Sequence, residues 1–495
     1  MINYSANGKV RNAQIYLVVI SIVIASVLGL VTTGMSSFDN YLWVIIAVIA
    51  GITIFVIGLI MPVISIYMLV FASAFIGYRA MLEARLFIEN IPINLIEVTM
   101  FLSLLFAFPS LLLGFVRKDW KYRTQQYGTF ALWIVFLGGV YMLGFIRGVV
   151  LHSLYSAGRE FRPIILIAIA FFLTRKYVTS WKTLKTIVII IFLGGIYGMI
   201  YNIIIPILTG IQHITYFKSY LDIRSIGSAS ASFEFTFILG VAFIVCRHYL
   251  FGRRSLTWIL VLMSFWACFL SFSMSAYAFT ILVPLLCVLL APLQLSKKLK
   301  IGLAMAGLPI IVLYYGVTTF TEIGGGQMFG DVPRLFGQAA EQLLGLSSSI
   351  HFQGRLYSWN ATLSELSGIQ FLVGVGMGKR IFIGIPQLGI VLIGEPTYST
   401  YLLGVGLTGL IVLLALQLKF VVVSYHNMRY PADSFIRAVM LAFPVYGIIT
   451  IINGFLHNNF IAPQGSVLYG ILLGLIEVMG WIGADERRRR CTRDR

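Results

Sequence analysis

Residues 41–78 form a run of about forty mainly apolar side chains. At about 1.5 Å of rise per residue the run is too long for one membrane-crossing helix, so it holds two spans hinged near Met61 and Pro62. The same reading places further spans at about 15–31, 94–116, 128–148, 163–174, 186–208, 227–246, 256–272, 277–294, 300–320, 400–423, 438–455 and 465–483, roughly fourteen in all. The stretch 163–174 is short for a span and is expected to draw on part of the loop before it. With 59% hydrophobic and 11% charged residues, and a mean hydropathy of +0.93, no soluble chain of this size could hide its apolar surface. The expected fold class is an all-α polytopic membrane protein.

Four regions follow. Residues 1–320 hold eleven spans, 321–399 a large loop of mixed polarity, 400–483 three more spans, and 484–495 a basic tail. The amino end shows no cleavable signal pattern, so the stretch 15–31 is expected to remain as a span. A net charge of +18 could point to nucleic acid, but in a membrane chain the placement of Lys and Arg decides. If the amino end is cytoplasmic, that side collects 24 of the 36 lysines and arginines, including six arginines in the tail. Both termini are therefore expected in the cytoplasm and the long loop outside.

Basic residues left on the outer side are not explained by insertion bias. They include Arg147, Arg159, Arg162, Arg224, Arg355, Lys379 and Arg380, several at the mouths of spans, where a charge is costly without a partner. They point to an anionic ligand, and phosphate suits the planar guanidinium, which grips it bidentately. Arg159 and Arg162 are three apart and share a face if a helix starts there, although Glu160 and these arginines could equally pair with neighbours at the interface. Arg224 precedes a run of small hydroxyl residues, Ser228 to Ser232, that lets a ligand or another helix approach the backbone.

Within the loop, Trp359 stands one helical turn after Arg355, placed to cover a guanidinium. Gly374, Gly376 and Gly378 have no Walker lysine or nucleotide-binding context and read as an irregular turn that folds the loop back over the membrane. Glu395, with Tyr398 just after it, stands where a general base or a sugar-orienting carboxylate would be useful; an exposed loop acid is the plainer reading. His351 and His457 stand alone, so no metal centre is expected, and the four cysteines match neither a metal-ligand spacing nor a disulfide framework.

This layout resembles the O-antigen polymerase and O-antigen ligase superfamily of bacterial envelope glycosyltransferases. The residues that carry the resemblance are Arg355, Trp359 and the Gly374, Gly376, Gly378 series in a large late loop, and Arg224 before its small-residue run. Leu402, Gly406 and Gly409 match the ligase pattern after the loop, but Tyr398 and Ser399 stand where ligases carry His-Asn, which favours the polymerase branch. The resemblance implies a GT-C-type fold and a metal-independent inverting glycosyltransferase without a cofactor. Its donor would be a polyprenyl diphosphate-linked oligosaccharide at the periplasmic face of the bacterial inner membrane. Membrane lipid and a chain-length regulator protein are the implied partners, and nucleic acid is not. Arg224 and Arg355 are then expected as catalytic diphosphate clamps, Glu395 as the base, and Arg159 and Arg162 at a second lipid site. His351, Trp359 and Tyr398 complete the expected substrate-contacting set. Rival readings are a ligase with a different acceptor, a flippase, and an ion channel resting only on Glu97 and Glu477.

Overall fold

In the computed structural model the described residues lie within 57–75, 86–107, 129–209, 232–298, 350–393 and 396–493, with short interruptions. The expected spans at 15–31 and 300–320 lie outside them, as do Arg224 and Glu395. The helices are α1 (Ile64–Phe75), α2 (Val98–Ala107), α3 (Thr129–Leu151), α4 (Leu154–Tyr177), α5 (Trp181–Thr209), α6 (Ser232–Val245), α7 (Arg254–Leu270) and α8 (Met274–Leu290). Beyond the loop region come α9 (Ile350–Glu365), α10 (Gln370–Val373), α11 (Thr397–Asn427), α12 (Ser434–Leu456) and α13 (Pro463–Arg493). Two small antiparallel hairpins depart from the all-helical expectation: β1 (Leu86–Ile88) with β2 (Ile91–Ile93), and β3 (Phe382–Gly384) with β4 (Val391–Ile393).

Among the described residues five helices are long and apolar enough to cross a membrane: Phe130–Leu151, Trp181–Ile200, Thr397–Asn427, Ser434–Phe455 and Gln464–Asp485. The chain is a helical membrane protein. Large apolar side chains such as Leu132, Leu143, Val150 and Val422 stay on its outside, where lipid rather than water meets them.

The stretch 163–174 is extended by a full nine residues of preceding chain. Ser153 starts α4, its Oγ accepting the backbone N–H of Ser156 at 3.1 Å, while Arg175 and Lys176 favour the negative end of the helix dipole in the last turn. Arg159, Glu160 and Arg162 therefore belong to the first turns of a continuous helix rather than to a loop.

Helices α4 and α13 lie side by side along their lengths. A Cβ at Gly470 would stand 2.4 Å from the Ile167 carbonyl oxygen and one at Gly474 2.6 Å from Thr174 Cβ, so the two glycines, four apart, let the backbones touch. Further along, Arg175 Nε lies 3.2 Å from Glu477 Oε1 and its guanidinium sits over the Trp481 ring at 5.1 Å. At the same end of the bundle Lys185 of α5 pairs with Asp433, and His248 Nδ1 lies 2.9 Å from Ser434 Oγ at the start of α12. The elements α9, α10 and the glycine series gather at the other end, here termed the loop end.

Candidate functional site

After α10 the chain turns sharply through Gly374, Gly376 and Gly378, whose φ values of +75°, +95° and +91° lie in the region that side chains avoid. The turn does not lie over the bundle but inserts into it. A Cβ at Gly376 would stand 2.9 Å from the Gly148 backbone nitrogen of α3, and one at Gly378 2.7 Å from the Ala157 nitrogen of α4. Four successive backbone N–H groups find acceptors on three helices. Val375 donates to the Leu403 carbonyl at 2.8 Å, Gly376 to Gly404 at 3.2 Å and Met377 to Gly144 at 3.0 Å, and Gly378 donates to Glu160 Oε2 at 2.8 Å.

The carbonyls of Leu403 and Gly404 are open to these donors because α11 is broken. Gly406 has φ +74° and ψ −171°, which ends the helical ladder there and strips the preceding turn of its usual i+4 partners. The break is a reversal rather than a bend. Tyr398 Oη lies 2.6 Å from Gln417 Oε1, although the two residues are 19 apart. In a straight helix their backbones would be about 28 Å distant, beyond the reach of two side chains. Residues 397–405 are thus a half-helix folded back along residues 407–427, and its last turn is capped by the glycine turn of the loop.

The far end of the half-helix meets α9 and α12. The Tyr398 ring packs edge-on against Phe455 at 4.7 Å between centroids, and Phe455 stacks with Trp359 at 6.2 Å. Trp359 Nε1 donates to the Phe455 carbonyl at 3.4 Å. The Tyr398 hydroxyl also lies 3.1 Å from the Ile451 carbonyl. One proton cannot serve two acceptors, so the Gln417 amide is best turned to donate to the phenol while the phenol donates to Ile451.

Helix α9 has an inverted character. It buries Ser358 and Thr362, one turn apart, and leaves Leu356, Tyr357 and Leu363 on the outside. Helix α10 buries nothing and exposes Phe371, Leu372 and Val373, with Ile369 exposed just before it. Two hydroxyls of α9 thus face the bundle while several large apolar side chains of α9 and α10 face outward, beside the exposed Asn360, Ser364 and Glu365.

The expected site residues fall into separate groups. Trp359 and Tyr398 are brought together through Phe455. Arg159 is exposed and Arg162 half-buried on α4, flanking Glu160, and the half-helix joins this mouth to the aromatic group because Gly404 lies beside Glu160. Glu160, for which pairing with a neighbour at the interface is one of the two readings, accepts the Gly378 N–H on one oxygen. Lys379 pairs with Glu365. His351 and Arg355 are on α9, two turns and one turn ahead of Trp359. The positions of Arg224 and Glu395 lie outside the described residues. Among those described, no three His, Cys, Asp or Glu side chains gather as a metal site would require.

Sequence reading missed Gln417, Asn453, Ser358 and the reversal at Gly406. The first two carried a signal, since each is an uncharged polar residue inside an otherwise apolar span. No protein-family model matches the chain, and no curated protein matches it either.

Proposed function

We propose that the protein is a GT-C-type glycosyltransferase of about fourteen spans that polymerises polyprenyl diphosphate-linked oligosaccharide repeats into a surface polysaccharide. It would act at the periplasmic face of the bacterial inner membrane, with both termini cytoplasmic. The observation that carries the reading is the juxtaposition at the loop end. Buried hydroxyl and amide side chains, Ser358, Gln417 and Asn453, stand behind α9 and α10, whose exposed residues include Leu356, Tyr357, Leu363, Phe371, Leu372 and Val373. A ligand with a polar head and a long lipid tail fits that boundary, since it can slide in from the bilayer without leaving hydrocarbon.

In this reading the acceptor hydroxyl oxygen attacks the anomeric carbon from the face opposite the leaving group. The bond from that carbon to the diphosphate oxygen breaks, the polyprenyl diphosphate leaves with the electron pair, and Glu395 takes the acceptor proton. Arg224 and Arg355 clamp the diphosphate as its charge grows, which fixed guanidinium groups do well in a water-poor site. Arg159 and Arg162 hold the second lipid at the mouth of α4, and His351, Trp359 and Tyr398 shape the sugar side.

The test is chain growth by purified protein supplied with lipid-linked repeat units. Arg355→Ala and Arg224→Ala are each expected to abolish it while the protein still inserts and accumulates; wild-type polymer from either variant sinks the assignment. A second reading, translocation of the lipid-linked glycan, draws on the reversed half-helix and the buried Arg175–Glu477 pair, both features of transporters. Lengthening of the glycan in detergent, where there is nothing to translocate, excludes it. A ligase of the same superfamily would need lipid A core added as a separate acceptor before any transfer occurred.

A further inference from the structure

Three polar side chains around the aromatic group are each at least nine-tenths buried yet carry an atom that bonds to nothing among the described residues. They are Ser358 Oγ on α9, the Gln417 amide on α11, which has one atom unmatched (its oxygen, once the nitrogen donates to Tyr398), and Asn453 Oδ1 on α12, at 4%, 1% and 4% exposure. Gln417 touches the aromatic group directly, and the other two are chain neighbours of residues that do. Ser358 precedes Trp359, which stacks on Phe455; Asn453 precedes Gly454, which the Tyr398 ring touches; and Gln417 meets the Tyr398 hydroxyl. A buried hydroxyl or amide left unmatched destabilises the fold, so three such groups from three different helices are not explained by stability.

None of the three is charged, and an aromatic pair lies beside them with Phe455 about half exposed, at 48%. A phosphate would call for cations, and an acyl chain would find the amides hostile. Neutral donors and acceptors beside an aromatic face match a sugar ring, which offers hydroxyls around its rim and C–H groups on its faces. We propose that Ser358, Gln417 and Asn453, with Trp359 and Phe455, form a subsite for a neutral sugar of the lipid-linked glycan, separate from the groups that hold its diphosphate. This rests on the function proposed above and adds to it a place where the glycan itself is read.

The test compares two probes on purified protein in detergent: bare polyprenyl diphosphate, and lipid-linked oligosaccharide extracted from cells that carry the protein. Wild type should bind the sugar-bearing lipid more tightly. Ser358→Ala and Asn453→Ala should each lower that affinity by about 3- to 10-fold and leave the bare lipid unaffected, because one hydrogen bond to sugar is lost. Their thermal unfolding should be unchanged or higher, since each removes a buried group without a partner, and this separates a ligand-facing role from a structural one. Equal binding of both probes by wild type, or unchanged affinity for the sugar-bearing lipid in both variants, overturns the subsite while leaving the lipid diphosphate reading intact. If wild type binds neither probe, that reading falls and the subsite falls with it.

Discussion

The hydroxyl of Tyr398 reaches the side-chain amide of Gln417 at 2.6 Å across 19 residues of one helical stretch, and it can do so only because Gly406 turns the chain back on itself. The conformation at Gly406 is one that essentially only glycine adopts, and a Cβ there would stand 2.4 Å from the Leu372 carbonyl carbon. Gly406→Ala is expected to destabilise by on the order of 3 kcal/mol. Gly138→Ala, where a Cβ meets nothing within 4 Å, should be neutral or stabilising by up to about 1 kcal/mol. Thermal unfolding of the two variants in the same detergent checks the pair, and equal effects would sink the reversal as a structural requirement.

Glu160 holds the glycine turn through one hydrogen bond that spans 218 residues of sequence. Glu160→Ala should free the Gly378 amide and raise its hydrogen-exchange rate by about tenfold or more. Glu160→Gln keeps an acceptor oxygen and should stay within a few-fold of wild type. If the two variants exchange alike, the contact does not secure the turn.

Helices α4 and α13 depend on the absence of side chains at Gly470 and Gly474. Leucine at either position forces overlap with Ile167 or Thr174 and should cost about 1–3 kcal/mol by overpacking. Because α4 also carries Arg159, Glu160 and Arg162 at its other end, both variants should weaken chain growth as well as lower the unfolding temperature. A stability loss with full activity would show that the register of α4 does not matter to the site.

At the end away from the loop, His248 is held below its ordinary pKa, chiefly by burial, with Lys185 adding to the effect and Asp433 opposing it. Burial alone would raise the Asp433 carboxyl, but the Ile436 N–H and Lys185 more than offset this and lower it. For both groups the unfolded chain binds protons more readily than the folded one. Their contribution is therefore complete above the ordinary values of about 6.5 for His and about 3.9 for Asp, and is lost as pH falls through the lower folded values. The Asp433 part is small because its side chain is half exposed, at 51%. Unfolding temperature should thus fall from pH 7.5 to 5.5 in wild type and fall less in His248→Gln; parallel curves would sink the assignment.

Several elements were legible beforehand for a shared reason. Residues 128–148 and 438–455 became α3 and α12 with small changes at the ends, because twenty apolar residues in lipid have no conformation that satisfies the backbone better than a helix. The shortness of 163–174 correctly signalled that preceding chain would join it, since a span needs more length than those residues provide. The glycine series read as an irregular turn because glycine takes φ above zero without the cost a side chain incurs there, but nothing local told which helices it would enter.

Apolar runs and the spacing of polar residues within them, by themselves, determined that this chain lives in a membrane as helices, because hydrocarbon imposes that choice on each segment separately. Tertiary structure alone decided that Glu160 would grip Gly378, that Tyr398 would fold back to Gln417, and that Ser358 and Asn453 would turn inward. Those contacts join segments tens to hundreds of residues apart, and their partners are selected by which surfaces the assembled helices leave open, a property no single segment possesses.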